Sequence, residues 1–72
     1  MTQSRSSVDV GRCLRIAQAK YDIKSAELAK RMGTFPQQIV RYRARKDMSI
    51  QTLVSIVAIF GISVDEFLSL EE

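Results

Sequence analysis

Apolar residues recur along the chain at intervals of three and four with no strand-like alternation, so the pattern predicts an all-helical fold. Ser6, with Asp9 three residues on, reads as an N-cap with an acidic first turn, and Val10, Cys13, Leu14, Ala17 and Tyr21 follow at helical spacing. This first helix runs to about Lys20, and Asp22 then marks a turn, being one of the few residue types that tolerates a left-handed backbone. A second, short helix is expected over 25–32, with Ala26, Leu28, Ala29 and Met32 facing inward and Gly33 at its terminating position. Thr34 and Phe35 make a tight link to a third helix over about 36–45. Pro36 suits its first position because the missing amide is not needed there.

In that third helix Ile39 and Tyr42 lie three apart and face inward, which leaves Gln37, Gln38, Arg41 and Arg45 largely outside. Ser49 opens a fourth helix, with Met48 and Leu53 in the relation of a hydrophobic staple. Ile50, Leu53, Val54, Ile56, Val57, Ile59 and Phe60 make it apolar over most of its circumference, so it is expected to be the central core helix. Gly61 ends it. Ser63 and Glu66 then form a capping box, with Ile62 and Phe67 at staple positions, for a fifth helix reaching about Leu70. The expected architecture is a five-helix bundle over 7–72, preceded by a polar, mobile segment at 1–6.

A chain of 72 residues has room for one domain and one small core, so modest stability is expected and oligomerisation would add to it. The net charge of +3 conceals a strong polarity. All eleven Lys and Arg lie in 1–46 with three acidic residues, a balance of +8, whereas 47–72 holds five acidic residues and no basic one, a balance of −5. That division suits a molecule presenting one face to a polyanion, although a solvated surface with a chance imbalance would look the same. Cys13 is the only cysteine and histidine is absent, so neither a disulfide within the chain nor a cysteine or histidine metal site can be assembled. With no histidine base, and with the acidic pairs read as surface caps, an enzyme is disfavoured, and no cofactor or small-molecule ligand is implied. The most apolar stretch, 53–62, is about half the length needed to cross a bilayer, and the N-terminus lacks the apolar run of a signal peptide. A reducing cytoplasm is the expected location, with no membrane partner.

The local signal is sharper than the helix count. Ala26-Glu27-Leu28-Ala29, then Gly33, then Ile39 places a small residue inside the second helix, a glycine in the turn and an aliphatic in the third helix. These are the requirements of a helix-turn-helix: Ala29 lets the helices cross closely, Gly33 relieves the turn, and Ile39 with Leu28 fills the wedge. Together with Leu14-Arg15, Ile23, Ser49-Ile50-Gln51-Thr52-Leu53 and the closing block Gly61-Ile62-Ser63-Val64-Asp65-Glu66-Phe67-Leu68, the chain from Val10 to Leu68 resembles the Cro/CI-like, or XRE-type, helix-turn-helix regulators. The resemblance implies a lambda-repressor-like bundle whose third helix enters the major groove of double-stranded DNA, usually as a homodimer on a palindromic operator.

Carried onto this sequence, the family's base-reading positions fall on Pro36, Gln37, Gln38 and Arg41, with Val40 a further candidate. Glutamine can pair bidentately with adenine, arginine with guanine, and valine can pack on a thymine methyl. Arg43, Arg45 and Lys46 match the family's backbone-gripping loop, and they would serve equally to offset the dipole where the third helix ends. Lys24 and Ser25 stand where a hydroxyl cap and a phosphate-touching glutamine are usual. Lys24 can still reach a phosphate, while capping would pass to Asp22 or Ser25. Phe35 is expected to pack under the third helix, the alternative being contact with a thymine methyl. Arg12 and Arg15 either lie beside the DNA backbone or face water. The uncharged outer positions Gln51, Ser55 and Ala58, with Phe67 and Leu70 on the fifth helix, form the candidate dimer interface. A Cro-like repressor is the reading these features favour, and a protein-binding or antitoxin-like helix-turn-helix is the alternative.

Overall fold

The computed structural model describes residues 8–71, and these form five helices: α1 (Val10–Tyr21), α2 (Ser25–Met32), α3 (Pro36–Ala44), α4 (Ile50–Phe60) and α5 (Val64–Leu68). The expected N-cap Ser6 lies outside the described residues. Asp9 itself is the cap, its carboxylate accepting from the Arg12 amide at 3.1 Å, so the first helix begins at Val10. At the other end Asp22 takes φ 57° and ψ 46°, the left-handed conformation expected of it. Ser49 and Ser63 cap α4 and α5 by accepting from the Thr52 and Glu66 amides. Gly33 and Gly61, at φ 72° and 73°, stop α2 and α4 in the left-handed conformation that glycine adopts without strain.

The core is one cluster. Cys13, Leu14 and Ala17 of α1 meet Leu28 and Ala29 of α2, Ile39 of α3, Leu53, Ile56, Val57 and Phe60 of α4, and Phe67 of α5. Tyr21 and Phe60 close it at one side with ring centroids 5.8 Å apart. α1 packs on both α3 and α5, while α2 packs on α3 and α4. The helix-turn-helix pair is therefore braced from two sides.

Three expectations about burial are corrected. Ala26 is exposed, because α2 turns Leu28 and Ala29 inward and leaves Ala26 on the solvent side of its first turn. α4 is not buried all round: Ile50 and Val54 are 69% and 51% exposed, since the burying face is the Leu53, Ile56, Val57 and Phe60 stripe. Phe67, assigned to a dimer interface, is fully buried, being the one inward position of a five-residue helix that closes the bundle.

Candidate nucleic-acid interface

The α2–α3 unit is built by backbone bonds around a small residue. The Gly33 amide donates to the Lys30 and Ala29 carbonyls and the Thr34 amide to Ala29 at 2.9 Å, which ends α2 and swings the chain into α3. Leu28, Ala29 and Ile39 are almost wholly buried at the crossing. With these sides turned inward, the outer face of α3 presents Pro36, Gln37, Val40 and Arg41, all exposed. Gln38 is half-buried, and its amide nitrogen donates to the Tyr42 hydroxyl at 3.3 Å. One N–H and the carbonyl oxygen of that amide remain for a base edge.

Phe35 does not pack under α3. It is the N-cap residue in an extended conformation, φ −113° and ψ 152°, and its ring is 73% exposed. The space beneath the helix is already filled by Ile39 and, at the rim, Tyr42. With Thr34, Gln37, Gln38 and Arg41 the ring borders an open depression of about 340 Å³.

A second depression, of about 390 Å³, lies where α2 begins, with Arg15, Lys24, Ser25 and Arg43 around it together with Asp22. Arg43 Nη1 donates to Ser25 Oγ at 3.5 Å and the buried Gln18 donates to the same oxygen at 3.2 Å, so the end of α3 is tied to the start of α2. Neither Asp22 nor Ser25 caps α2. Lys24 is its N-cap and offers no side-chain acceptor, which leaves first-turn amides open to an outside anion.

Arg45 and Lys46 are exposed just past α3, and their backbone is fixed: their carbonyls accept from the Gly11 and Val10 amides, each at 2.9 Å. The free amides of one helix start thus satisfy the free carbonyls at another helix end. Among the described residues the only ion pair is Arg31–Glu27, at 2.7 Å within α2, so the cations around α3 are not neutralised by carboxylates there. Of the remaining candidates, Gln51, Ser55 and Ala58 are exposed on α4, beside Ile50 and Val54, whereas Leu70 is half-buried against the core.

Sequence reasoning left four residues without an assigned part. Gly11 carries no chemistry and showed no signal. Ile50 and Val54 were hidden by their apolar character, which reads as core. Arg15 was left between two roles until the fold set it beside Lys24 and Arg43.

A family model described as a Cro/C1-type HTH DNA-binding domain matches residues 14–72. No curated protein and no solved structure matches the chain. No helix of the described residues is long and apolar enough to cross a membrane.

Proposed function

The chain belongs to the Cro/C1-type helix-turn-helix DNA-binding domain family, and on that premise we propose that it is a transcriptional regulator that reads one operator sequence through α3. The observation that carries this reading is the adjacency of two chemically different surfaces. The outer face of α3 offers hydrogen-bonding and apolar groups at Gln37, Gln38, Val40 and Arg41, and the Arg43–Ser25 bond joins it to a cationic rim. In the proposed complex Gln37 and Gln38 pair with adenine, Arg41 with guanine, and Val40 rests on a thymine methyl. Pro36, exposed at the helix start, meets the base edges beside them. Lys24, Ser25, Arg43, Arg45 and Lys46 hold phosphates, which sets register and affinity without reading sequence.

The protein acts as a homodimer on a palindromic site, repressing by occupancy in the cytoplasm. Support for the dimer comes from α4, where Ile50 and Val54 stand exposed among the uncharged Gln51, Ser55 and Ala58. A second copy would cover that strip and place two reading helices about one helical turn of DNA apart. The same strip favours a second reading, an antitoxin-like module that binds another protein. Selection of bound duplexes from a random pool tests the first: enrichment of one two-fold symmetric site is expected, and a pool that gains no consensus overturns it.

A further inference from the structure

The start of α3 departs from what a DNA-reading helix needs if it is to grip phosphate. Its N-cap, Phe35, has no side-chain acceptor or donor, and Pro36 has no amide proton. The Gln38 amide is already spent on the Phe35 carbonyl at 2.9 Å. What stands there instead is a phenyl ring, three-quarters exposed, on the edge of an open depression whose other walls are Thr34, Gln37, Gln38 and Arg41. Three of those four neighbours are the polar groups that face base edges in the reading proposed above.

An exposed aromatic ring on a face that meets base edges can bury apolar surface there, and the major groove offers one protruding apolar group on the unmodified bases, the C5-methyl of thymine. We propose that Phe35 reads a thymine methyl, seated in the depression between its ring and the Gln37 and Gln38 side chains. This rests on the DNA-reading role of α3. Phe35 precedes Arg41 by six positions, about 9 Å along a helix axis, so the methyl belongs to a different base pair from the one Arg41 reads. The ring specifies a base at a helix start that has one backbone donor fewer, because Pro36 carries no amide proton.

The test uses the duplex selected from the random pool, with each thymine replaced in turn by deoxyuridine, which removes the methyl and nothing else. Wild-type protein is expected to lose about fourfold in affinity at one thymine per half-site, the value of one buried methyl. Phe35→Ala should bind the parent duplex more weakly and lose its sensitivity to deoxyuridine at that thymine alone. Because the ring is exposed, its removal in Phe35→Ala should leave the thermal midpoint unchanged; Phe35→Ser, whose hydroxyl can cap α3 and raise the midpoint, serves as a second variant with the same expected loss of deoxyuridine sensitivity. If either variant keeps the full thymine-to-deoxyuridine difference at every position, or if Phe35→Ala binds the parent duplex as tightly as wild type, the assignment is overturned. Failure of the wild-type protein to select any duplex would instead remove the DNA-reading premise.

Discussion

The Gly11 amide donates to the Arg45 carbonyl at 2.9 Å, and the Val10 amide does the same for Lys46. A Cβ at Gly11 would press into the Arg45 carbonyl oxygen and come within 2.7 and 2.8 Å of the Arg43 and Tyr42 carbonyls. All three oxygens are backbone atoms of the α3 exit, and none can swing aside as a side-chain tip would.

Gly11→Ala is therefore expected to destabilise the fold by about 1–3 kcal/mol, towards the upper end of what overpacking costs. Urea unfolding measures this. DNA affinity should fall as well at temperatures where the variant remains folded, because Arg43, Arg45 and Lys46 leave their places together. Wild-type stability in the variant would show that α1 does not seat the end of α3 as described.

Arg41 and Lys46 are both exposed cations on or beside α3, yet their removal should differ in kind. Arg41→Ala should relax preference at one base pair, a discrimination of about 1–3 kcal/mol. Lys46→Ala should weaken every sequence alike and make the slope of log affinity against log salt shallower by about 1, from near −5 for about six phosphate contacts. Binding titrations across a salt series, on the selected duplex and on random duplex, separate the two.

A charge in the α4 strip tests the dimer. Ile50→Glu together with Val54→Lys replaces two exposed apolar groups, so the monomer fold should hold. Sedimentation should shift towards monomer, and binding to a full palindrome should drop to that of a single half-site. Unchanged sedimentation would overturn the strip as the dimer interface.

Burial pushes the Cys13 thiol above its ordinary 9.0, and the Glu71 and Asp9 carboxylates add to the shift. Below that ordinary value folded and unfolded chains both keep the proton, and the contribution is intact. Above it the unfolded chain ionises first, so stability is lost as pH climbs towards the raised value. The thermal midpoint of wild type should fall more steeply as pH rises above 9.0 than that of Cys13→Ala. Parallel curves would contradict the shift.

Asp22 holds a left-handed backbone at the α1–α2 turn, where glycine meets no steric penalty. Asp22→Gly should change stability by less than about 1 kcal/mol, whereas Asp22→Val should cost more than that. Thermal melts of the pair give the comparison.

The helices were legible because each boundary carries its own local chemistry. Asp22, Gly33, Ser49, Gly61 and Ser63 all stand where the sequence places them, and α2 begins and ends as expected. Side-chain fate was less legible. Phe35, Ile50 and Val54 read as core because apolarity was the only signal, yet an extended cap and the angle of α4 turn them outward. Phe67 went the other way: Asp65 and Glu66 beside it are exposed, and the packing of α5 on α1 and α4 buries its ring. Gly11 and Arg45 lie far apart in sequence, and no periodicity connects them. Contacts of that kind belong to packing, which single-sequence pattern does not encode.

That closure has a consequence in time. Phe67 fills the core under α1, and the Cys13 thiol reaches the Leu68 carbonyl 55 residues on, at 3.7 Å. At about 5–20 residues per second, a ribosome needs several seconds to supply those residues after α1 has been made. Until then the bundle stays open where α5 packs on α1 and α4, so a chain interrupted before α5 carries every outer side chain of α3 on an unfinished core.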